Sequence, residues 1–189
     1  MADYTLTASP ILGGYRKTIG DTTLEEVVAP SIVSVSMPIG GEHKLNQAMN
    51  SAYGVGFPAS GESSLAKDKS VRFLGMGPDQ AFALFEHPGD DGDLVIAAKL
   101  GDKAYYTLQS DNWVTLRLSG PLSVAALQRI CQIDLDALKT GGVARTVMEH
   151  MGATLLREGE DSFLLLSAWS TAHSFLHAVE TSLNNVARS

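Results

Sequence analysis

The strongest constraint on the fold is a pattern written twice. In the first half Val33, Val35 and Met37 alternate with Ser34 and Ser36, the two-residue period of a half-buried strand, and Gly40 and Gly41 then break the chain. Leu45, Ala48, Met49 and Ala52 follow at i, i+3, i+4 and i+7, so residues 42–52 read as an amphipathic helix ending near Gly54. In the second half Val114, Leu116 and Leu118 alternate with Thr115, Arg117 and Ser119. Gly120 breaks the chain, and Pro121 suits the first turn of a helix lined by Val124, Leu127 and Cys131. Setting Val33 on Val114 gives an offset of 81 residues (114 minus 33). The agreement is one of pattern, not of identity.

The remainder of each half corresponds as well. Val71–Met76, the Gly77-Pro78-Asp79 turn and Ala81–Phe85 form a hairpin pattern that matches Thr154–Arg157, Glu158–Asp161 and Phe163–Leu166. Gln80–Phe85 also fits a short helix opened by Pro78; the matched layout of the second half favours the hairpin. A helix follows each hairpin, over Asp93–Leu100 and over Ser170–Leu183, with Ser170 as the cap and Ala172, Phe175, Leu176, Val179 and Leu183 at helical spacing. Ala104–Leu108 supplies a closing strand.

Each half therefore reads as β-α-β-β-α-β, and the chain as an α+β protein of duplicated split units, antiparallel sheets with helices packed on one face. Residues 1–30 hold Pro10, Gly13, Gly14, Gly20 and Pro30 with weak periodicity and read as an irregular arm. Residues 31–189 read as one compact body of two repeats, about 31–110 and 113–185, because Gln109–Asn112 is only a short polar turn.

Composition narrows the function. The chain has 189 residues, 44% hydrophobic and 19% charged, with a formal net charge of −7 and no basic stripe, so its field would repel phosphate backbones and nucleic acid is not expected as a partner. No apolar run approaches a membrane span and Met1–Leu12 lacks a leader pattern, so the expectation is a soluble cytoplasmic protein with no membrane partner. The single Cys131 excludes an internal disulfide and any multi-cysteine metal site.

The motifs point to no catalytic, cofactor-binding or metal site. Gly40-Gly41 and Gly141-Gly142 lack phosphate-loop spacing, and no GxSxG turn occurs. His173 and His177 share a helix face at i, i+4, but HExxH is absent and a zinc site needs a third ligand. Asp90-Asp91-Gly92-Asp93 lacks the remaining ligands of a calcium loop and reads as a turn with a helix cap. Cys131, at the end of an apolar helical stripe, reads as a buried hydrophobe. Trp113 and Trp169 sit at element ends beside apolar runs, which favours core or interface packing over stacking a planar ligand. Arg145 and Glu149 would lie on one side of a strand with Val147 between them and His150 next to it, as an edge ion pair or as a contact surface for a partner protein.

Trp113–Pro121, Leu127–Asp136 and above all Ala144–Ser182 resemble the gamma subunit of heterotetrameric sarcosine oxidase, and Leu74–Leu84 is similar to that family's glycine-proline-aspartate hairpin. The resemblance covers about residues 71–186. It implies a noncatalytic subunit of a flavoenzyme complex that oxidatively demethylates sarcosine to glycine, forming 5,10-methylenetetrahydrofolate and hydrogen peroxide. The implied partners are alpha, beta and delta subunits, with FAD, FMN, NAD, zinc and tetrahydrofolate held by subunits other than this one. The implied fold is a distant relative of the folate-binding aminomethyltransferases, with the ligand site lost: the KGCYxGQE signature is absent, and nothing at Leu138–Val143 replaces it. Arg145, Glu149, His150, Trp113 and Trp169 are the candidate subunit contacts. The alternatives are a free-standing folate-dependent aminomethyltransferase-like or folate-binding protein, a subunit of a related N-methyl amino acid dehydrogenase complex, and a homo-oligomeric interaction module.

Overall fold

The computed structural model describes residues 9–28 and 30–188, so the expectation of an irregular arm over residues 1–30 lies outside the described residues at 1–8 and 29. Where the arm is described, it is not irregular. β1 (Arg16–Ile19) and β2 (Thr22–Glu26) form a hairpin around Gly20 and Asp21. The first repeat follows as β3 (Pro30–Ser36), α1 (Glu42–Tyr53), β4 (Ser63–Leu65), β5 (Arg72–Gly75), β6 (Gln80–Glu86), α2 (Gly92–Leu100) and β7 (Tyr105–Leu108). The second is β8 (Trp113–Ser119), α3 (Ser123–Gln128), β9 (Val143–Met148), β10 (Met151–Gly159), β11 (Ser162–Ala168) and α4 (Ala172–Val186).

Two antiparallel sheets result, in the orders β4-β5-β6-β3-β7 and β1-β2-β8-β11-β10-β9. This is the α+β class of duplicated split units expected from the pattern, and Gln80–Glu86 is the second strand of a hairpin rather than a helix. Each sheet has two dry faces. Val33, Val35 and Phe73 pack under Leu45 and Met49 of α1 and Ile96 of α2, while Leu116, Leu118 and Leu155 pack under Leu127 of α3 and Phe175, Val179 and Leu183 of α4. The opposite faces share a third cluster, where Ile32, Leu74 and Leu84 of one sheet join Leu156, Leu164 and Leu166 of the other. The layers therefore run helices, sheet, sheet, helices. β3 is thus buried on both sides, not half-buried: Val33 points to helices and Ile32 to the second sheet.

Strand pairing sharpens the repeat. Ser36 pairs with Gln80 and Tyr105, and Ser119 pairs with Ser162 and Thr23. Equivalent strands therefore sit 83 residues apart (119 minus 36), two more than the 81 suggested by hydrophobic spacing; a shift of two keeps every side chain on its face. The same pairing shows that the second repeat has no closing strand of its own. β2 stands beside β8 where β7 stands beside β3, both antiparallel. The expected order β-α-β-β-α-β thus gains one strand in each repeat, β4 in the first and β9 in the second, and the second borrows its last strand from the N-terminal hairpin.

That hairpin is anchored. Leu24 is fully buried among the α3 and α4 contacts, and the Thr22 hydroxyl accepts from the Leu122 amide at the start of α3. Gly120 has φ +126, and a Cβ there would stand 2.3 Å from the Asp21 carbonyl, so only glycine lets the hairpin turn approach. Lys17 pairs with Glu180 on α4. Burial, and then the neighbouring Glu180 carboxylate, push the Tyr15 phenol up to about 12.

Two local expectations are corrected. α3 ends at Gln128, so Cys131 lies beyond the helix, in an isolated bridge to Met148; it is nonetheless buried in the α3–α4 core. Ser170 does not cap α4: it lies in a short 3-10 turn, and Thr171 occupies the cap position with its hydroxyl donating to the Ala168 carbonyl.

Candidate interaction surface at the junction of the repeats

The two connectors that join a closing strand to the next repeat, β2 to β3 and β7 to β8, are equivalent pieces of chain, and they meet. Together with the β6–α2 loop, its counterpart at Trp169 and the segment Ser9–Ile11, they line a cleft of about 730 Å³. The segments are held by backbone bonds: Val27 donates to Thr115 O, Gln109 donates to Ile32 O, and the Ile32 amide donates to the Ser110 hydroxyl. Clefts at the seam between structural units are a common place for ligands and partners.

Three features set this cleft apart. Ile11, Val28 and Trp169 are exposed around it by 37%, 53% and 56%, large apolar side chains left in water. Two of its lining residues, Trp113 and Thr115, carry buried polar atoms, Nε1 and Oγ1, with no hydrogen-bond partner among the described residues, while the Ser31 hydroxyl, also without one, faces the first turn of α2 at Gly92. The charged lining residues include Glu26, Asp90 and Asp111, and no Lys or Arg lines the cleft among the described residues. Glu26 accepts from the Leu12 and Gly14 amides, which ties the Ser9–Ile11 segment down. His87 Nε2 lies 2.6 Å from Asp91 Oδ1, and that hydrogen bond holds the Asp91 carboxyl below the usual range. The Asp90–Asp93 run is thus a turn leading into α2. Asp91 occupies the cap position but makes no side-chain cap bond, its carboxylate being taken by His87.

The five candidate contact residues divide. Trp113, at the start of β8 with its ring edge against Phe82 at 5.5 Å between centroids, and Trp169 come together in the cleft. Arg145, Glu149 and His150 lie on the far edge of the second sheet. Arg145 and Val147 share the exposed face of β9, but Glu149 is not on the strand: Glu149 and His150 form its two-residue turn into β10, with φ 45° and 68°. Glu149 instead lines a second groove of about 780 Å³ beside α4, with Arg129, Met151, Ser174, His177 and Thr181. His173 and His177 are exposed on α4, and among the described residues no three His, Cys, Asp or Glu side chains gather to hold a metal. Ser31, Thr115, Val28, Ile11 and Asp111 were not singled out by sequence as site residues, and Asp90 only as part of a turn, because each is ordinary at its own position and only pairing of distant strands brings them together.

Over 154 residues the chain is 30% identical to a sarcosine oxidase subunit gamma from Arthrobacter sp, a match covering 79% of this chain and 73% of that protein. In shape it is similar to a chain of the heterotetrameric sarcosine oxidase from Corynebacterium sp. U-96 in complex with pyrrole 2-carboxylate, with TM-score 0.76 and 24% identity over 90% of this chain and 88% of that one. It also shares its fold with the glycine cleavage system aminomethyltransferase T from Bartonella henselae, with TM-score 0.63 and 14% identity over 84% of this chain and 45% of that one. No family model matches the chain.

Proposed function

The chain belongs to the sarcosine oxidase gamma-subunit family, and on that premise we propose that it is the noncatalytic gamma subunit of a heterotetrameric complex that oxidatively demethylates sarcosine to glycine. The observation that carries the reading is the 30% identity to a gamma subunit over 154 residues. In this reading the alpha, beta and delta subunits are its partners, the complex is cytoplasmic, and the flavins, NAD, zinc and tetrahydrofolate are held by the other chains. What this chain contributes is a two-sheet body that exposes Ile11, Val28 and Trp169 around one cleft, an apolar patch that suits assembly. No helix among the described residues is long and apolar enough to cross a membrane.

Co-expression with the other three subunits tests the reading. The expected result is a complex in which this chain co-purifies and whose sarcosine turnover or stability falls when it is omitted. Elution of this chain apart from a folded alpha subunit under mild conditions would overturn it. Isothermal titration of the isolated chain with tetrahydrofolate separates the folate-binding alternative, for which micromolar binding is the requirement and absence of heat the expectation here.

A further inference from the structure

This inference rests on the functional reading above and gives it a surface. We propose that the cleft between the repeats is the seat of a segment from a partner subunit that presents an apolar side chain and a lysine or arginine.

The occupant's chemistry follows from the lining. Ile11, Val28 and Trp169 stand at the rim rather than on the floor, and a polymer crossing the rim covers them where a small metabolite held inside would not. Glu26, Asp90 and Asp111 with no opposing Lys or Arg make the cleft attractive to a cation, and the exposed Trp169 ring adds a face for an ammonium or guanidinium group.

The geometry of the repeat supports the location. The cleft is built from both copies of the same connector and both copies of the loop preceding the second helix, so an occupant touches the two halves at once. Such a segment would bridge the seam. The groove beside α4 is the weaker candidate: it carries Arg129, Glu149 and His177 together, a mixed charge that selects no partner.

The test uses the co-expressed complex, with Trp169→Glu and Asp111→Lys made separately and Lys139→Glu, outside the cleft, as the control. Dissociation of the chain from the complex is read by biolayer interferometry, and folding of the isolated chain by thermal denaturation. Each cleft variant is expected to weaken assembly by about tenfold or more, the control to stay within about twofold, and the isolated chains to melt as the parent does. If the unaltered chain fails to co-purify, the functional reading falls; if it assembles and both cleft variants assemble equally well, this proposal alone falls. Should a variant melt early, hydrogen exchange on the unaltered complex decides: residues 27–31 and 108–115 must slow on assembly, and unchanged exchange there overturns the proposal. Self-association of the isolated chain that Trp169→Glu abolishes would assign the cleft to a second copy and overturn it. So would a small molecule seen by native mass spectrometry in the complex and lost in Trp169→Ala with assembly intact.

Discussion

The two repeats solve one packing problem in different ways. The first closes its sheet with β7, the strand that follows its last helix; the second closes with β2, which precedes the whole first repeat. A second contrast lies at one register position. Phe73 and Leu155 each pair with the strand next to β3 or β8, so Gly75 of β5 corresponds to Arg157 of β10. Both make the same backbone bonds to the loop before β4 or β9: Gly75 N to Glu62 O and Gly61 N to Gly75 O, Arg157 N to Gly142 O and Gly141 N to Arg157 O. Glu62 and Gly142, equivalent by this pattern, bridge each other across the seam. Beyond the backbone the solutions part. At Gly75 the loop backbone presses in, so that a Cβ would stand 1.9 Å from the Ala59 carbonyl. At Arg157 the guanidinium reaches outward to the carbonyls of Leu135, Leu138, Gly159 and Glu160, holding a longer loop with a side chain. One repeat fastens its loop by contact of main chains, the other by a cation.

Alanine at each of the two equivalent positions tests the contrast most severely. Gly75→Ala places a carbon against backbone that cannot yield, and we expect a loss of about 4 kcal/mol or failure to fold. Arg157→Ala, which strips charge-assisted bonds from four carbonyls, should cost about 3 kcal/mol with the fold retained. Urea unfolding compares them, and equal losses would dissolve the distinction. The borrowed strand comes next. Leu24→Ala, in β2, should cost about 3 kcal/mol, and Tyr106→Ala, at the equivalent place on half-buried β7, about half of that. Were Tyr106 the costlier, the second sheet would not depend on its loan. A smaller effect separates the hairpins. His150→Gly relieves a left-handed residue in the two-residue turn and should stabilise by about 1 kcal/mol in the same assay. A loss of stability would mean that the His150 side chain supports the fold.

The smallest expected effect is electrostatic. Lys17 holds the Glu180 carboxyl below its ordinary value, the hydrogen bond being the main cause. A depressed folded value gives stability that is present above 4.5 and lost as pH falls through the folded value. The pair is partly exposed, so less than about 1 kcal/mol is at stake. Glu180→Gln should therefore lower the melting temperature slightly at neutral pH and not at all in acid; an equal shift at both would remove the pair as the cause.

Most of the fold was legible because its strands and helices carry strict periods: α1 from Leu45 and Met49, β8 from Leu116 and Leu118, α4 from Phe175, Val179 and Leu183. The N-terminal hairpin was not, although Gly20-Asp21 is a two-residue turn of the right kind. Its reason is physical: β2 puts Thr22 and Leu24 fully inside, and one buried leucine makes no period. Where α3 stops was obscured by Cys131, which continues the apolar stripe but belongs to a bridge with Met148. Of the cleft, the two tryptophans could be flagged by size and position, whereas Val28 and Asp111 look like ordinary connector residues until the pairing of distant strands brings them together.

The borrowed strand also has a bearing on how the chain is made. During synthesis β2 emerges before either repeat, yet the sheet it completes does not exist until β8 and β11 have followed, some ninety and one hundred and forty residues later. The first repeat, whose strands are close in sequence, can close while the ribosome is still at work. The early hairpin must wait with Leu24 uncovered until β8, β11 and the helices that cover them have followed. Transferring residues 9–28 to follow Arg188 would turn this delayed closure into a local one, and the permuted chain should refold faster than the natural order.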